Sequence, residues 1–198
     1  MSLPDRLRSA LEAQHDSDLI LLAGDHHDFD PRSLGHAAAV LVAVTERAEP
    51  GILLTQRTES LRRHAGQIAF PGGRIDPEDD GPISAALREA QEEIALPPEQ
   101  VEIIGLADSY RTITGYHVTP VLGVVPPDLP LIPAEAEVAD LFEVPLAFLL
   151  DPANHRERAV EVQGVQRRFY EILWQERRIW GATAAMLVNL SRRLRWSA

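Results

Sequence analysis

The sequence predicts an α/β fold in which a mixed β-sheet lies between helices. Three observations carry that prediction. Apolar residues recur at helical spacing at both ends of the chain: Leu3, Leu7 and Leu11 at one, Ala182, Met186, Leu190 and Leu194 at the other. Between them, short apolar runs bounded by Gly and Pro turns have the length of strands. One charged helix, centred on Arg88-Glu89-Ala90-Gln91-Glu92-Glu93, interrupts the strands. A length of 198 residues suits a single domain over 1–198, with an N-terminal helix and loop over 1–35.

Residues 4–14 read as the first helix. Residues 23–35 are polar and turn-rich. Their His26 and His27 are adjacent and point in different directions, which favours a solvated loop over a metal site. Residues 37–46, AAAVLVAVTE, read as a buried strand, and Gly51–Arg57 as its hairpin partner. Residues 58–69 read as a polar connection into Phe70-Pro71-Gly72-Gly73. Beyond the charged helix, Val101–Ala107 reads as a strand continuing to Arg111. A turn at Thr114-Gly115 leads to strand Tyr116–Val125, which Pro126, Pro127 and Pro130 break. The loop 133–138 carries Glu135 and Glu137. An element starting at Phe142 reads as a short helix ending near Asp151-Pro152. Residues 159–174 alternate around Gly164 and read as a hairpin. Trp174 and Trp180 are expected in the core, with a dimer contact as the alternative.

Composition narrows the function. A net charge of -11 argues against a general nucleic-acid binder, yet it leaves room for an anionic small molecule, because local charge matters more than the total. No apolar run reaches the about 18 residues of a membrane-spanning helix. The N-terminus reads as an amphipathic helix and not a signal peptide, so cytoplasm is the default expectation. With no cysteine, disulfides and thiolate metal sites are excluded. The chain also has no lysine. Phosphate recognition therefore falls to backbone amides, histidine, a metal or arginine, whose planar fork can hold two oxygens at once.

Glu89 and Glu93 lie one helical turn apart and share a face, and Glu92 borders it. Like charges at this spacing weaken a helix by about 0.2–0.5 kcal/mol per pair. A solvated face tolerates that cost. A hard divalent cation, which binds carboxylate oxygens, would use it. The position of the cluster favours the cation. It follows the tight Pro71-Gly72-Gly73 turn, where glycine leaves the backbone open to close approach. Ala85, Ala86, Leu87 and Ala90 supply the side that anchors the helix.

These residues resemble the box of the Nudix hydrolases, G-x5-E-x7-R-E-U-x-E-E-x-G-U with U aliphatic. Gly73, Arg88, Glu89, Ala90, Glu92, Glu93 and Leu96 match in order, placing the box at 73–96. Asp79 stands where the box has Glu, one extra residue precedes Arg88, and Ala95 replaces Gly. Pro97 and Pro98 are expected to end the helix in place of that glycine. Upstream, LLTQRTESLRRHAGQIAFPGG over 53–73 resembles the signature of the coenzyme A pyrophosphatase branch, L-L-T-x-R-S-x3-R-x3-G-x3-F-P-G-G. Leu53, Leu54, Thr55, Arg57, Arg62, Gly66, Phe70, Pro71, Gly72 and Gly73 match in register, and Thr58 replaces Ser while keeping the hydroxyl.

The resemblance implies a Nudix-type α/β/α sandwich that binds Mg²⁺ or Mn²⁺ through Glu89, Glu93, Glu92 and the Gly73 carbonyl. It implies hydrolysis of the pyrophosphate bond of coenzyme A or its derivatives to 3′,5′-ADP and 4′-phosphopantetheine. Arg88 would orient an acid, Asp79 or Glu92. Glu137 is the general base that the resemblance picks out, with Glu135 second, and Glu92 and Glu93 complete the catalytic set. Arg57, Arg62 and Arg63, with Gly72 and Gly73, would bind substrate. Together with Arg74 these arginines form a positive island around a single acid, Glu59. The alternatives are another nucleoside diphosphate derivative, such as ADP-ribose or NADH, and a non-catalytic nucleotide sensor. The expected partner is a small molecule, not nucleic acid or membrane, and a homodimer is left open.

Overall fold

The computed structural model describes residues 1–13, 22, 35–59, 66–162 and 165–196. In chain order the elements are α1 (Leu3–Glu12), β1 (His36–Thr45), β2 (Gly51–Arg57), β3 (Ile68–Ala69), β4 (Gly72–Arg74), α2 (Pro82–Ile94), β5 (Glu102–Leu106), β6 (Tyr110–Arg111), β7 (Tyr116–Val125), β8 (Val138–Pro145), α3 (Leu146–Leu150), β9 (Arg156–Val162), β10 (Val165–Trp174), β11 (Arg177–Trp180) and α4 (Ala182–Leu194).

The main sheet runs β3-β2-β1-β7-β5, with β4 added to β1, β6 to β7 and β8 to β2. Strands β1 and β7 pair in parallel from His36↔Tyr116 to Thr45↔Val125, while β1–β2, β2–β8 and β5–β7 are antiparallel. The sheet is therefore mixed, as expected. Helices cover both faces, which explains why β1 and β7 read as unbroken apolar runs.

Alternation along β1 sorts its side chains between the two layers. Ala39, Leu41 and Ala43 face Ala85, Ala86, Ala90 and Ile94 of α2. Val42 and Val44 face the opposite layer, with Leu7 of α1, Leu146 and Leu149 of α3, and Leu187 and Leu190 of α4. Short alanine side chains line both sides of the α2 contact, so α2 seats close against the sheet beside β4. A separate antiparallel sheet, β11-β10-β9, buries Ile172 and Ile179 against the core.

Four expectations change. Phe142–Pro145 belongs to β8, which pairs with β2 from Gly51↔Pro145 to Arg57↔Val138, and the short helix starts only after Pro145. The 58–69 connection contains β3, which pairs with β2. Its middle, including Arg62 and Arg63, lies outside the described residues, as do His26 and His27. Trp180 is 38% exposed and meets Phe169 edge-on, whereas Trp174 is half-buried against Phe148.

The fourth change concerns the end of α2. Ala95 itself turns left-handed, at φ 54 and ψ 32, and its N–H donates to the Gln91 carbonyl at 3.0 Å. The helix therefore ends as the absent glycine would have ended it, at a steric cost to alanine. Ala95→Gly is expected to stabilise the fold by about 1 kcal/mol, raising the melting temperature by about 2–4 °C. Calorimetry checks this, and an unchanged or lower melting temperature would refute it.

Candidate active site

The site is built where β4 meets the exposed edge of α2. Gly72 lies opposite Val40 of β1, with φ 154. A Cβ there would collide with the Ala39 carbonyl and Val40, so only glycine lets β4 lie this close. Gly73 serves differently, because a Cβ on it would fall on the Glu89 carboxylate. The pair of glycines thus presses the turn against β1 on one side and leaves a seat for Glu89 on the other.

Glu93 closes the other half of the seat. Its side chain is only 7% exposed, and its Oε2 accepts the Gly72 N–H at 3.2 Å. Burial pushes its carboxyl up to about 7 in the metal-free chain, against the pull of the Gly72 N–H and Arg57. Burial also raises the Glu89 carboxyl, with Arg88 opposing it. Two neighbouring carboxylates, one buried and one half-buried, both raised by desolvation, mark a place where positive charge is wanted.

Arg88 organises the outer side. Its Nε and Nη2 donate to the two oxygens of Asp79 at 3.1 and 3.0 Å, and Nη2 also donates to the Arg74 carbonyl at 3.0 Å. Nη1 donates to Glu89 at 3.0 Å and to Glu92 at 3.3 Å. The Asp79 side chain is only 4% exposed. The Arg88 guanidinium holds its carboxyl below the ordinary range. One guanidinium therefore ties the turn carbonyl, the loop acid and the first acid of the helix together. Glu92, 60% exposed, leans outward to Arg88 and away from the glycine seat.

Arg57 enters from the end of β2. The β2–β8 register slips between Gln56 and Arg57, an irregularity that re-aims a side chain. Its Nη1 comes to 3.6 Å from Glu93 Oε1, and its Nη2 to 3.9 Å from Glu137 Oε2. Glu137 is held by its backbone, whose carbonyl accepts the Thr58 N–H at 3.0 Å, while its side chain stays open to solvent. Glu135 is an exposed neighbour in the same turn. Arg74 turns away from the seat, to His36 Nδ1 at 2.7 Å and the Tyr116 ring.

Among the described residues, no three His, Asp or Glu side chains converge on one point. Two carboxylates, Glu89 and Glu93, do meet at the glycine turn. That all-oxygen donor set suits a hard cation such as Mg²⁺, which keeps several waters and takes one or two protein carboxylates. Of the two acids expected to hold Arg88, Asp79 takes the paired contact and Glu92 a single one, whereas the Arg57–Glu93 contact has no signal in the sequence. The only sequence signal for Asp79 is its place six residues after Gly73.

Residues 35–164 match the NUDIX domain family. The chain is 48% identical, over 154 residues, to an uncharacterized Nudix hydrolase, NudL, of Cronobacter sakazakii (strain ATCC BAA-894), covering 78% of this chain and 80% of that protein. The protein of the same name from Escherichia coli (strain K12) is 46% identical with the same coverage of 78% and 80%. Among solved structures, an Ap4A hydrolase of C. elegans in a binary complex is similar at TM-score 0.48 and 24% identity, over 55% of this chain and 80% of that one.

Proposed function

The chain belongs to the Nudix family of hydrolases, and on that premise we propose that it cleaves the pyrophosphate bond of coenzyme A or a coenzyme A derivative, releasing 3′,5′-ADP and 4′-phosphopantetheine. One observation carries this reading. Arg57, from the upstream arginine motif, stands 3.6 Å from Glu93, the last acid of the box. The two motifs thus meet in space and can serve one substrate, with phosphate-binding donors beside a cation seat.

In this reading Glu89, Glu93 and the Gly73 carbonyl would hold a divalent cation, Mg²⁺ or Mn²⁺. When bound, that cation would supply neutralisation of phosphate charge and a more acidic water. Arg88 is a positioning residue that keeps Glu89 and the turn in register through Asp79. Glu137, solvent-open beside Arg57, accepts the proton of the attacking water and passes it to solvent. Water adds to phosphorus, the bridging P–O bond breaks, and the leaving phosphate departs as a phosphomonoester. Arg57, Arg62 and Arg63 bind substrate phosphates, and Gly72 and Gly73 leave room for them. Glu92 lies farther out beside Arg88 and would be the third carboxylate of the set that holds the cation.

The decisive experiment is a substrate panel of coenzyme A, its 3′-dephospho form, ADP-ribose and NADH, with Mg²⁺ and Mn²⁺ in turn. Coenzyme A is expected to give the highest kcat/KM, and EDTA to abolish turnover. A higher value for ADP-ribose or NADH would replace coenzyme A by that class. Absence of any metal-dependent turnover would favour a nucleotide sensor.

A further inference from the structure

Two arginines of the site, Arg88 and Arg57, are held in opposite ways. Arg88 is fixed by paired donors on Asp79 at 3.1 and 3.0 Å, the fork geometry in which guanidinium and carboxylate bind most strongly. Among the described residues Arg57 has no such seat. Its terminal nitrogens stand 3.6 Å from Glu93 and 3.9 Å from Glu137, beyond hydrogen-bonding distance in both cases. Its Nε is buried with no hydrogen-bond partner among the described residues. A buried donor left unsatisfied costs about 1–3 kcal/mol. The side chain is therefore poorly bonded where it lies. What it provides there is a positive charge facing Glu93, which is buried and has Glu89 for a neighbour.

We propose that Arg57 is a displaceable counter-ion: its guanidinium stands in for the divalent cation at Glu93 while the site is metal-free, and yields when the cation arrives. This rests on the assignment of the cation to Glu89 and Glu93 and not on the identity of the substrate. Metal and guanidinium compete for the same carboxylate. Once displaced, the guanidinium keeps Glu137 as a neighbour, and its donors become free for an anionic ligand. Loading the metal thereby readies the arginine for phosphate. The loose contacts are what make the exchange feasible, because little bonding has to be broken.

Mn²⁺ titrations of the full chain without nucleotide, followed by the EPR signal of the free ion, test this. Arg57→Gln is expected to bind Mn²⁺ about tenfold more tightly than wild type, about 1.4 kcal/mol, and charge-preserving Arg57→Lys to stay within about threefold. Arg74→Gln removes a nearby cation that is engaged with His36, and should leave the affinity unchanged. In thermal unfolding, Arg57→Gln should fall below wild type without metal and match it at saturating Mn²⁺. Equal affinity of wild type and Arg57→Gln, equal tightening by Arg74→Gln, or the same thermal loss with and without Mn²⁺ would overturn the inference and leave Arg57 as a structural ion pair. Failure of either protein to bind Mn²⁺ would remove the metal assignment, and the inference with it. Neither measurement contains a nucleotide, so a wrong substrate class would not disturb it.

Discussion

Glu93→Gln is expected to lower kcat by about 10³-fold, as loss of a cation's charge stabilisation would require, while making the metal-free protein more stable at pH 8. The amide keeps an oxygen for the Gly72 N–H and nearly the same shape, so the turn survives. What is lost is the charge. In the metal-free wild type, burial lifts the Glu93 carboxyl from 4.5 to about 7. Between those values the native chain holds a proton that the unfolded chain has released, so stability falls as pH rises through that window. Above it the penalty is complete and amounts to up to about 3 kcal/mol. The glutamine variant escapes it, gaining stability at pH 8 and nothing at pH 4. Added Mg²⁺ should stabilise wild type and not the variant. Near-normal kcat, or a variant less stable than metal-free wild type at pH 8, would contradict the assignment of Glu93.

The second large effect falls on the fold as well as the site. Arg88→Ala is expected to destabilise by about 3 kcal/mol, because it strands the buried carboxylate of Asp79 without its counter-charge. A melting temperature lower by about 6–12 °C should result. The pH dependence has the opposite sense to that of Glu93. Arg88 holds the Asp79 carboxyl low, so this pair contributes above the ordinary carboxylate range and is lost as pH falls through the depressed native value. In Arg88→Ala that acid limb should flatten. Adding Asp79→Asn to Arg88→Ala removes the stranded charge and should recover most of the stability. Activity should stay low, since Glu89 loses its positioning donor at 3.0 Å. A loss below about 1 kcal/mol in the single variant would mean that water replaces the arginine at Asp79.

The parts that could be read from sequence are those with strong local pattern. Strands β1 and β7 are buried on both faces, so they appear as continuous apolar runs, and the spacing of Glu89 and Glu93 puts their carboxylates on one face of α2 by helical geometry, although only the preceding glycine turn and the family resemblance distinguish that face from a solvated one. Strand β8 was hidden because Asp140 and Glu143 interrupt its alternation, and only Val138 and Val144 are fully buried. Its Pro145 marks the end of a strand and not the body of a helix. Ala95 defies its own propensity because Ile94 and Leu96, at 0% and 1% exposure, pin the chain on either side of the turn. Least legible was the meeting of Arg57, Glu93 and Glu137. It depends on the β2–β8 register and on one irregularity within it, which no local pattern records.

The parallel pairing of β1 with β7 has a bearing on how the site comes into being. It joins His36 to Tyr116 and Thr45 to Val125, and everything from Arg57 to Glu93 lies inside the loop that this pairing closes. Closing such a loop draws mainly on chain entropy, and only the packed sheet returns it. The acidic helix by itself carries mutually repelling carboxylates and a narrow alanine face, with nothing to dock upon. The carboxylates are thus brought to the glycine turn by a pairing that joins residues far apart in the chain, and an isolated peptide of this stretch is expected to stay largely unfolded.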